Sequence, residues 1–365
     1  MVKAAVLYGF YEPLKIESLN LKPPRADEVV VKLAASGICH TDLSVIQARL
    51  PHPPPVVLGH EAAGIVEEVG KGVTRLQPGD HVVLSAIPSC GQCFYCIAGE
   101  SHLCEAGNRA MMEGQEGVFE KDGIEITRFV GLGSFAERTV VRAAAAIKIP
   151  PDVPLDRACL VGCGVITGVG AVMNCARVRP GQTVAVFGCG GVGLNVIQGA
   201  VLCGAATIIA VDLLDQKLEW AKQFGATHTV NPRTAGDAAE AVRSLTSGIG
   251  ADFAFEVIGA PPVIAQCLLA VRRGGKVIVV GAPGFGEDLT VPAAIIPLEE
   301  RSIIGTLLGS ANMHRDMPKL LELYMQKKLK LDELISRRIA LEEINEAFAA
   351  MEKGEVARTV IIYGS

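Results

Sequence analysis

The 365-residue sequence predicts an α/β protein, a doubly wound parallel sheet joined to a second, β-rich domain. Three observations carry the prediction. Between 165 and 307, strand-like runs (183–187, 206–211, 252–258, 276–281) alternate with helix-like runs (191–203, 215–223, 237–246, 261–271), the rhythm of right-handed βαβ crossovers. Residues 1–157 instead hold short strand-like runs (28–33, 64–69, 81–85, 135–141) divided by Gly and Pro. The length also exceeds what one core normally supports, roughly 250–300 residues, so two domains are expected.

In chain order, the N-terminus alternates as a strand through Lys3, Ala4, Ala5, Val6 and Leu7. Glu12 and Pro13 come too early for the apolar core of a signal segment, and a cytoplasmic protein is expected. The β-rich domain is placed at 1–164 and the α/β domain at 165–307. Amphipathic helices at 318–328 and 341–352 and a last strand, Thr359–Tyr363, follow. Two helices and a strand cannot bury a core, so 308–365 is expected to return and complete the first domain.

Half of the residues are hydrophobic and 20% charged, which excludes a disordered chain. Two stretches, Pro180–Val211 and Ala158–Ala176, carry no charge and are long enough on paper to span a bilayer. Glycines and polar residues such as Asn174, Gln182, Asn195 and Gln198 interrupt them, so no membrane span is expected and buried parallel strands account for the longer run. A net charge of −5 without a basic run argues against nucleic acid as a partner.

The first α/β strand, Thr183–Phe187, runs into Gly188-Cys-Gly190-Gly191-Val-Gly193. Gly188 permits the tight turn, Gly190 a close backbone approach to a pyrophosphate, and Gly193 close packing of helix on strand. Asp212 ends the next strand-like run, where a carboxylate accepts ribose hydroxyls and repels a 2′-phosphate. Leu213 and Leu214 follow with no Arg, so NAD is expected over NADP. The plainer alternative is that Asp212 only caps the helix starting near Asp215, and Lys217 is otherwise a solvated surface lysine.

Eleven cysteines without a secretion signal point to metal ligands and small core residues rather than disulfides. Cys90, Cys93, Cys96 and Cys104 fall within fifteen positions, a density that predicts one closed tetrahedral zinc site. An iron–sulfur cluster fits less well, because seven residues and no following Pro separate the last two cysteines. A second set is dispersed: Cys39 in Gly37-Ile-Cys-His-Thr-Asp42, His60 in Gly59-His-Glu61, and Cys163 in Gly162-Cys-Gly164. Two thiolates and one imidazole would leave an open zinc position for a ligand. From spacing alone, that reading and ordinary burial of each residue stand level.

Taken together, these motifs resemble the zinc-containing medium-chain alcohol dehydrogenases over essentially the full length. The resemblance rests on Gly37–Asp42, Gly59-His-Glu-Ala-Ala-Gly-Ile-Val-Glu-Glu-Val-Gly70, the four-cysteine lobe, Gly162-Cys-Gly-Val-Ile-Thr-Gly168 and Gly188–Gly193, in family order. It implies a GroES-like catalytic domain beside a Rossmann domain, with the active site between them, and two zinc ions per chain. Cys39, His60 and Cys163 would hold the catalytic zinc, Asp42 would orient His60, and Glu61 would lie near the metal. Thr41 would take the alcohol proton, His40 and Arg358 would face the cofactor pyrophosphate, and Lys217 the adenosine ribose. The activity implied is hydride transfer between a primary alcohol/aldehyde pair and NAD, by a homodimer or homotetramer.

Two departures refine the expectation. Ser44 stands where many relatives place a relay histidine, so water or ribose hydroxyls are expected to complete proton transfer. Ala86 stands where many place a large aromatic, which predicts a pocket for bulky or aromatic alcohols. A thiol-dependent formaldehyde dehydrogenase, acting on an S-hydroxymethyl thiol, is the nearest rival; Asp122–Thr127 resembles bacterial members of that neighbourhood. A non-catalytic dehydrogenase-fold protein is the alternative of another class, and it would be marked by loss of a ligand at position 39, 60 or 163.

Overall fold

The computed structural model describes residues 1–112 and 117–364. Two compact units emerge: Met1–Gly164 together with Asn312–Ser365, and Val165–Ala311. The chain thus re-enters the first unit at Asn312, where the sequence reading places the return at 308.

The second unit is built on six parallel strands among the described residues, in the spatial order His228–Val230, Thr207–Val211, Thr183–Phe187, Ala251–Glu256, Val271–Val279, Ser302–Gly305. Numbered along the chain, this is the 3-2-1-4-5-6 order of a Rossmann sheet, with its switch point between the first and fourth strands. The two central strands and Thr207–Val211 are almost wholly buried. That double-sided burial explains their unbroken apolar sequence and the charge-free run from Pro180. Gly191–Leu202, Asp215–Phe224, Ala238–Leu245 and Pro261–Ala270 are the helices of this unit that accompany the sheet.

The first unit combines a closed barrel, ordered Val2–Leu7, Lys15–Leu21, Phe119–Lys121, Ile124–Arg128, Val56–Val57, with a sheet centred on Glu28–Gly37. Glu28–Gly37 pairs with Glu61–Val69, Arg138–Arg142 and the last strand, Arg358–Ile362. The C-terminal segment therefore closes the sheet that carries the cysteine and histidine motifs, and Phe348, Met351, Ile361 and Tyr363 join its core. The hairpin 119–128 was not foreseen as strands, although its Asp122-Gly123 turn, with φ of 51° and 79°, is the expected two-residue hairpin chemistry.

One helix begins earlier than its sequence signal. The helix expected at 318–328 runs Met313–Met325, with Pro318 inside it. Asn312 is the true start, its side chain accepting the Arg315 N–H at 3.2 Å. No single helix among the described residues is long and apolar enough to cross a membrane; one broken pair, Leu155–Gly162 and Gly164–Ala176, passes by length and composition only.

Candidate metal centres and dinucleotide loop

The strand Glu28–Gly37 ends at a short helix, His40–Ile46, whose N-cap is Cys39. Asp42, in the first turn and fully buried, returns Oδ2 to the Cys39 N–H at 3.2 Å. Its other oxygen accepts the Gly59 N–H at 2.9 Å and faces His60 Nδ1 at 3.1 Å. One carboxylate thereby fixes both the helix start and the imidazole, as a ligand-orienting group would. His60 Nε2 is left buried and without a hydrogen-bond partner.

Around that nitrogen, the ligand atoms of Cys39, His60, Glu61 and Cys163 lie within 4.8 Å of one another. Tetrahedral zinc with bonds of about 2.0–2.3 Å separates its ligands by about 3.3–3.8 Å, so modest contraction of this cluster accommodates the ion. The donor chemistry fits as well. Without a metal, the Cys163 thiol donates to Cys39 and holds the Cys39 thiol well below its ordinary range, against the effect of burial. Burial disfavours charge on His60, but the nearby Asp42 and Cys39 outweigh it and raise the imidazole well above its ordinary value.

Glu61 is fully buried and donates nothing; Oε1 accepts the Gly164 N–H at 3.2 Å and meets Arg358 at 3.4 Å, while Oε2 has no partner. Burial pushes its carboxyl up to about 7 although Arg358 pulls the other way. Arg358 is 5% exposed and also donates to the Ile38 carbonyl at 3.4 Å, so its guanidinium is committed to the first unit's interior. His40 is exposed at the head of the short helix. Thr41 Oγ1 lies 3.6 Å from Cys39 Sγ.

Two aromatic neighbours of this site escaped the sequence reading. Phe129 sets its edge against His60, with ring centres 5.6 Å apart, and against the buried His52 at 5.4 Å. Only the packing brings these residues together, since they lie in three separate segments.

The four lobe cysteines also converge, their sulfurs within 4.8 Å. Backbone N–H groups point at them: Cys90 to Cys104 Sγ at 3.3 Å, Cys93 to Cys90 Sγ at 3.4 Å and Gly107 to Cys104 Sγ at 3.4 Å. Amides aimed at sulfur stabilise thiolates, and the N–H groups of Cys96 and Glu105 draw Cys93 down to about 6. Burial pushes Cys96 up to about 12.

In the second unit, Gly188 turns with φ of +98°, and the helix Gly191–Leu202 begins after Gly190 with no side-chain cap. Its first N–H groups are therefore available to an anion. A Cβ on Gly193 would lie 1.9 Å from the Gly188 carbonyl oxygen, whereas one on Gly190 would meet nothing within 4 Å. Asp212 accepts the Cys189 N–H at 2.8 Å and the Leu214 N–H at 3.0 Å, bracing the glycine turn and keeping lone pairs for further donors. Lys217 is half-buried near this turn, its charge acting on Cys189. Glu256, also unforeseen, is buried and accepts the N–H groups of Ile258, Gly259 and Ala260 at the end of the neighbouring strand.

A Rossmann-type unit with a dinucleotide loop and a β-rich unit with two thiol clusters define a dehydrogenase, an oxidoreductase enzyme. Residues 25–151 match the alcohol dehydrogenase GroES-like domain, and 191–326 the zinc-binding dehydrogenase domain. An alcohol dehydrogenase class-3 of Cereibacter sphaeroides is 41% identical over 99% of both chains. An NDMA-dependent alcohol dehydrogenase of Amycolatopsis methanolica is 41% identical over 100% of this chain and 99% of its own. The solved benzyl alcohol dehydrogenase of Acinetobacter calcoaceticus superposes with a TM-score of 0.93 at 36% identity, over 100% and 99% of the two chains. The chain belongs to the zinc-containing medium-chain alcohol dehydrogenase family.

Proposed function

We propose that this protein is an NAD-dependent zinc alcohol dehydrogenase that interconverts a bulky or aromatic primary alcohol and its aldehyde. The observation that carries the reading is the convergence of Cys39, His60 and Cys163 with His60 Nε2 buried and unpartnered. Bound there, zinc supplies a Lewis acid that makes the alcohol easier to deprotonate, and NAD supplies the hydride acceptor. Asp42 keeps Nδ1 of His60 engaged so that Nε2 faces the metal. The Thr41 hydroxyl, beside the Cys39 sulfur, receives the alcohol proton. Glu61, paired with Arg358, lines the metal site. Cys90, Cys93, Cys96 and Cys104 hold a second, structural zinc with no open position.

At the uncapped helix start Gly190 and Gly191 leave backbone N–H groups open to the pyrophosphate, while Gly188 makes the tight turn and Gly193 the close helix packing. Asp212 and Lys217 bind the adenosine ribose, and the Asp212 carboxylate disfavours a 2′-phosphate. Ala86, buried and small, supports a wide alcohol pocket. The Acinetobacter relative's name, benzyl alcohol dehydrogenase, favours an aromatic substrate class.

The test is NAD reduction across ethanol, longer primary alcohols and benzyl alcohol, with metal content measured on the same sample. The expected result is about two zinc ions per chain, NAD preferred over NADP, and benzyl alcohol preferred over ethanol. Replacement Ala86→Trp should lower the benzyl-to-ethanol ratio. Preference for NADP, or equal turnover of ethanol and benzyl alcohol, contradicts the reading. Turnover of formaldehyde only with a low-molecular-weight thiol would assign the protein to thiol-adduct oxidation instead. The Amycolatopsis relative, whose name makes its activity depend on NDMA, favours a second reading in which NAD stays bound through the cycle. Release of stoichiometric NAD on denaturing the purified protein would select that version.

A further inference from the structure

Beside the four-cysteine lobe, with Cys90 on its lining, the first unit contains a cavity of about 540 Å³. Its lining includes Pro88–Cys90 with Ala106, at the four-cysteine lobe, and His314 and Pro318 on the helix Met313–Met325. Arg75, Arg142 and Lys148 stand on its rim. Lys148 is paired with Asp80 at 2.5 Å, but neither the Arg75 nor the Arg142 guanidinium has a hydrogen-bond or ion-pair partner among the described residues. Burial holds the His314 imidazole below its usual range, and the Arg75 charge lowers it further, so uncompensated positive charge reaches into the cavity. Asp27 is the acidic residue on the lining, and it is exposed.

Beneath the rim the surface is apolar. Leu76 and Ile147 are buried to 7% and 2% exposure, and Ala143, Ala144 and Ala146 add further apolar lining beside Thr74 and Ser89. Magnitudes decide what such a place holds. A rim-exposed ion pair is too weak in salt to retain a bare anion. Burial of apolar surface adds to it, so an anion with an apolar body gains from both features. Guanidinium forks also match carboxylates in two parallel hydrogen bonds.

We propose that this cavity binds a small apolar carboxylic acid, its carboxylate held by Arg75 and Arg142 and its body on the Leu76–Ile147 floor. The occupant would touch both the four-cysteine lobe and the helix Met313–Met325, tying together two segments distant in sequence.

Calorimetric titration of the zinc-loaded protein with benzoate tests this, with acetate and inorganic phosphate as comparison ligands. Benzoate is expected to bind saturably at one site, at least tenfold more tightly than acetate or phosphate. The double variant R75Q/R142Q should lose that binding by at least tenfold while alcohol oxidation is unchanged. Ala144→Trp, at an exposed position on the cavity lining, should block benzoate independently and covers the case in which the double variant folds poorly. Benzoate that fails to saturate, binds both variants as it binds the parent protein, or binds more weakly than phosphate would overturn the proposal. Because benzoate can also enter an alcohol site, loss of binding only in Cys163→Ala, and not in R75Q/R142Q, would place it at the metal and likewise reject the cavity.

Discussion

Asp42 Oδ1 and His60 Nδ1 meet at 3.1 Å inside the first unit, with both side chains almost fully buried. The same carboxylate caps the helix that Cys39 begins, so two proposed ligands share one organising group. Asp42→Asn keeps the size but loses the charge that favours Nδ1–H. The catalytic zinc should then be held about 10- to 100-fold more weakly, the usual cost of removing such a partner. Competition with a graded chelator checks this: the content should fall from about two zinc ions per chain toward one, leaving the four-cysteine site filled. Retention of both ions at parental affinity would mean that Asp42 serves only the helix cap.

The glycine loop separates two effects that are usually confounded. Gly193→Ala forces a methyl to within 1.9 Å of a carbonyl oxygen, so helix and strand must move apart. Overpacking of this kind costs about 1–3 kcal/mol, and the melting temperature should fall with cofactor affinity. Gly190→Ala meets no protein atom, so its stability should be unchanged. Its methyl would occupy the space where a pyrophosphate approaches, and NADH affinity by fluorescence titration should drop at least tenfold. Equal NADH affinity in Gly190→Ala and the parent would move the phosphate elsewhere.

The second unit was readable because its signals are local. A buried parallel strand is an apolar run, the glycines stand at fixed spacing, and Asp212 sits one strand further on. The lobe cysteines were equally local, within fifteen positions. Cys39, His60 and Cys163 are not: spacing alone left metal ligation and plain burial level, and it took the family resemblance to join them. Phe129 and His52 were missed for the same reason, since an edge contact between rings in different segments leaves no periodic trace. The early start of the helix at Met313 was hidden by Pro318, which ordinarily marks a helix boundary, whereas the helix, capped by Asn312, runs on through it.

Acid stability should depend on Glu28. It pairs with Arg128 at 2.9 Å, and both side chains are at most 7% exposed. Burial pushes the Glu28 carboxyl up, but the Arg128 hydrogen bond and charge and the Arg25 N–H together bring it below the ordinary value near 4.5. With the folded value depressed, the unfolded chain binds the proton first as pH falls. The pair's contribution is therefore complete at neutral pH and declines below about 4.5, vanishing as the folded carboxyl itself protonates. Glu28→Gln leaves Arg128 buried without its counter-charge and should cost about 3–5 kcal/mol at pH 7. Denaturant titrations at pH 7 and pH 3.5 check the sign, because the difference between variant and parent should shrink at the lower pH.

Ser44 lies three residues after Thr41 on the helix His40–Ile46, hence on the same face, and is half-buried. If Thr41 receives the alcohol proton, the next acceptor in line is a serine hydroxyl, which cannot store a proton near neutral pH. The parent enzyme must then hand the proton to water, and the hydride-transfer rate should climb steadily with pH. Ser44→His places an imidazole of ordinary pKa about 6.5 at that step. It should accelerate hydride transfer at pH 6.5–7 by roughly 3- to 10-fold, a fraction of the 10²–10⁴ that a positioned general base contributes. Near pH 9, where hydroxide competes as acceptor, the two enzymes should converge. Stopped-flow measurement with deuterated alcohol isolates the step, and parallel pH profiles for parent and variant would show that the proton leaves Thr41 by another route.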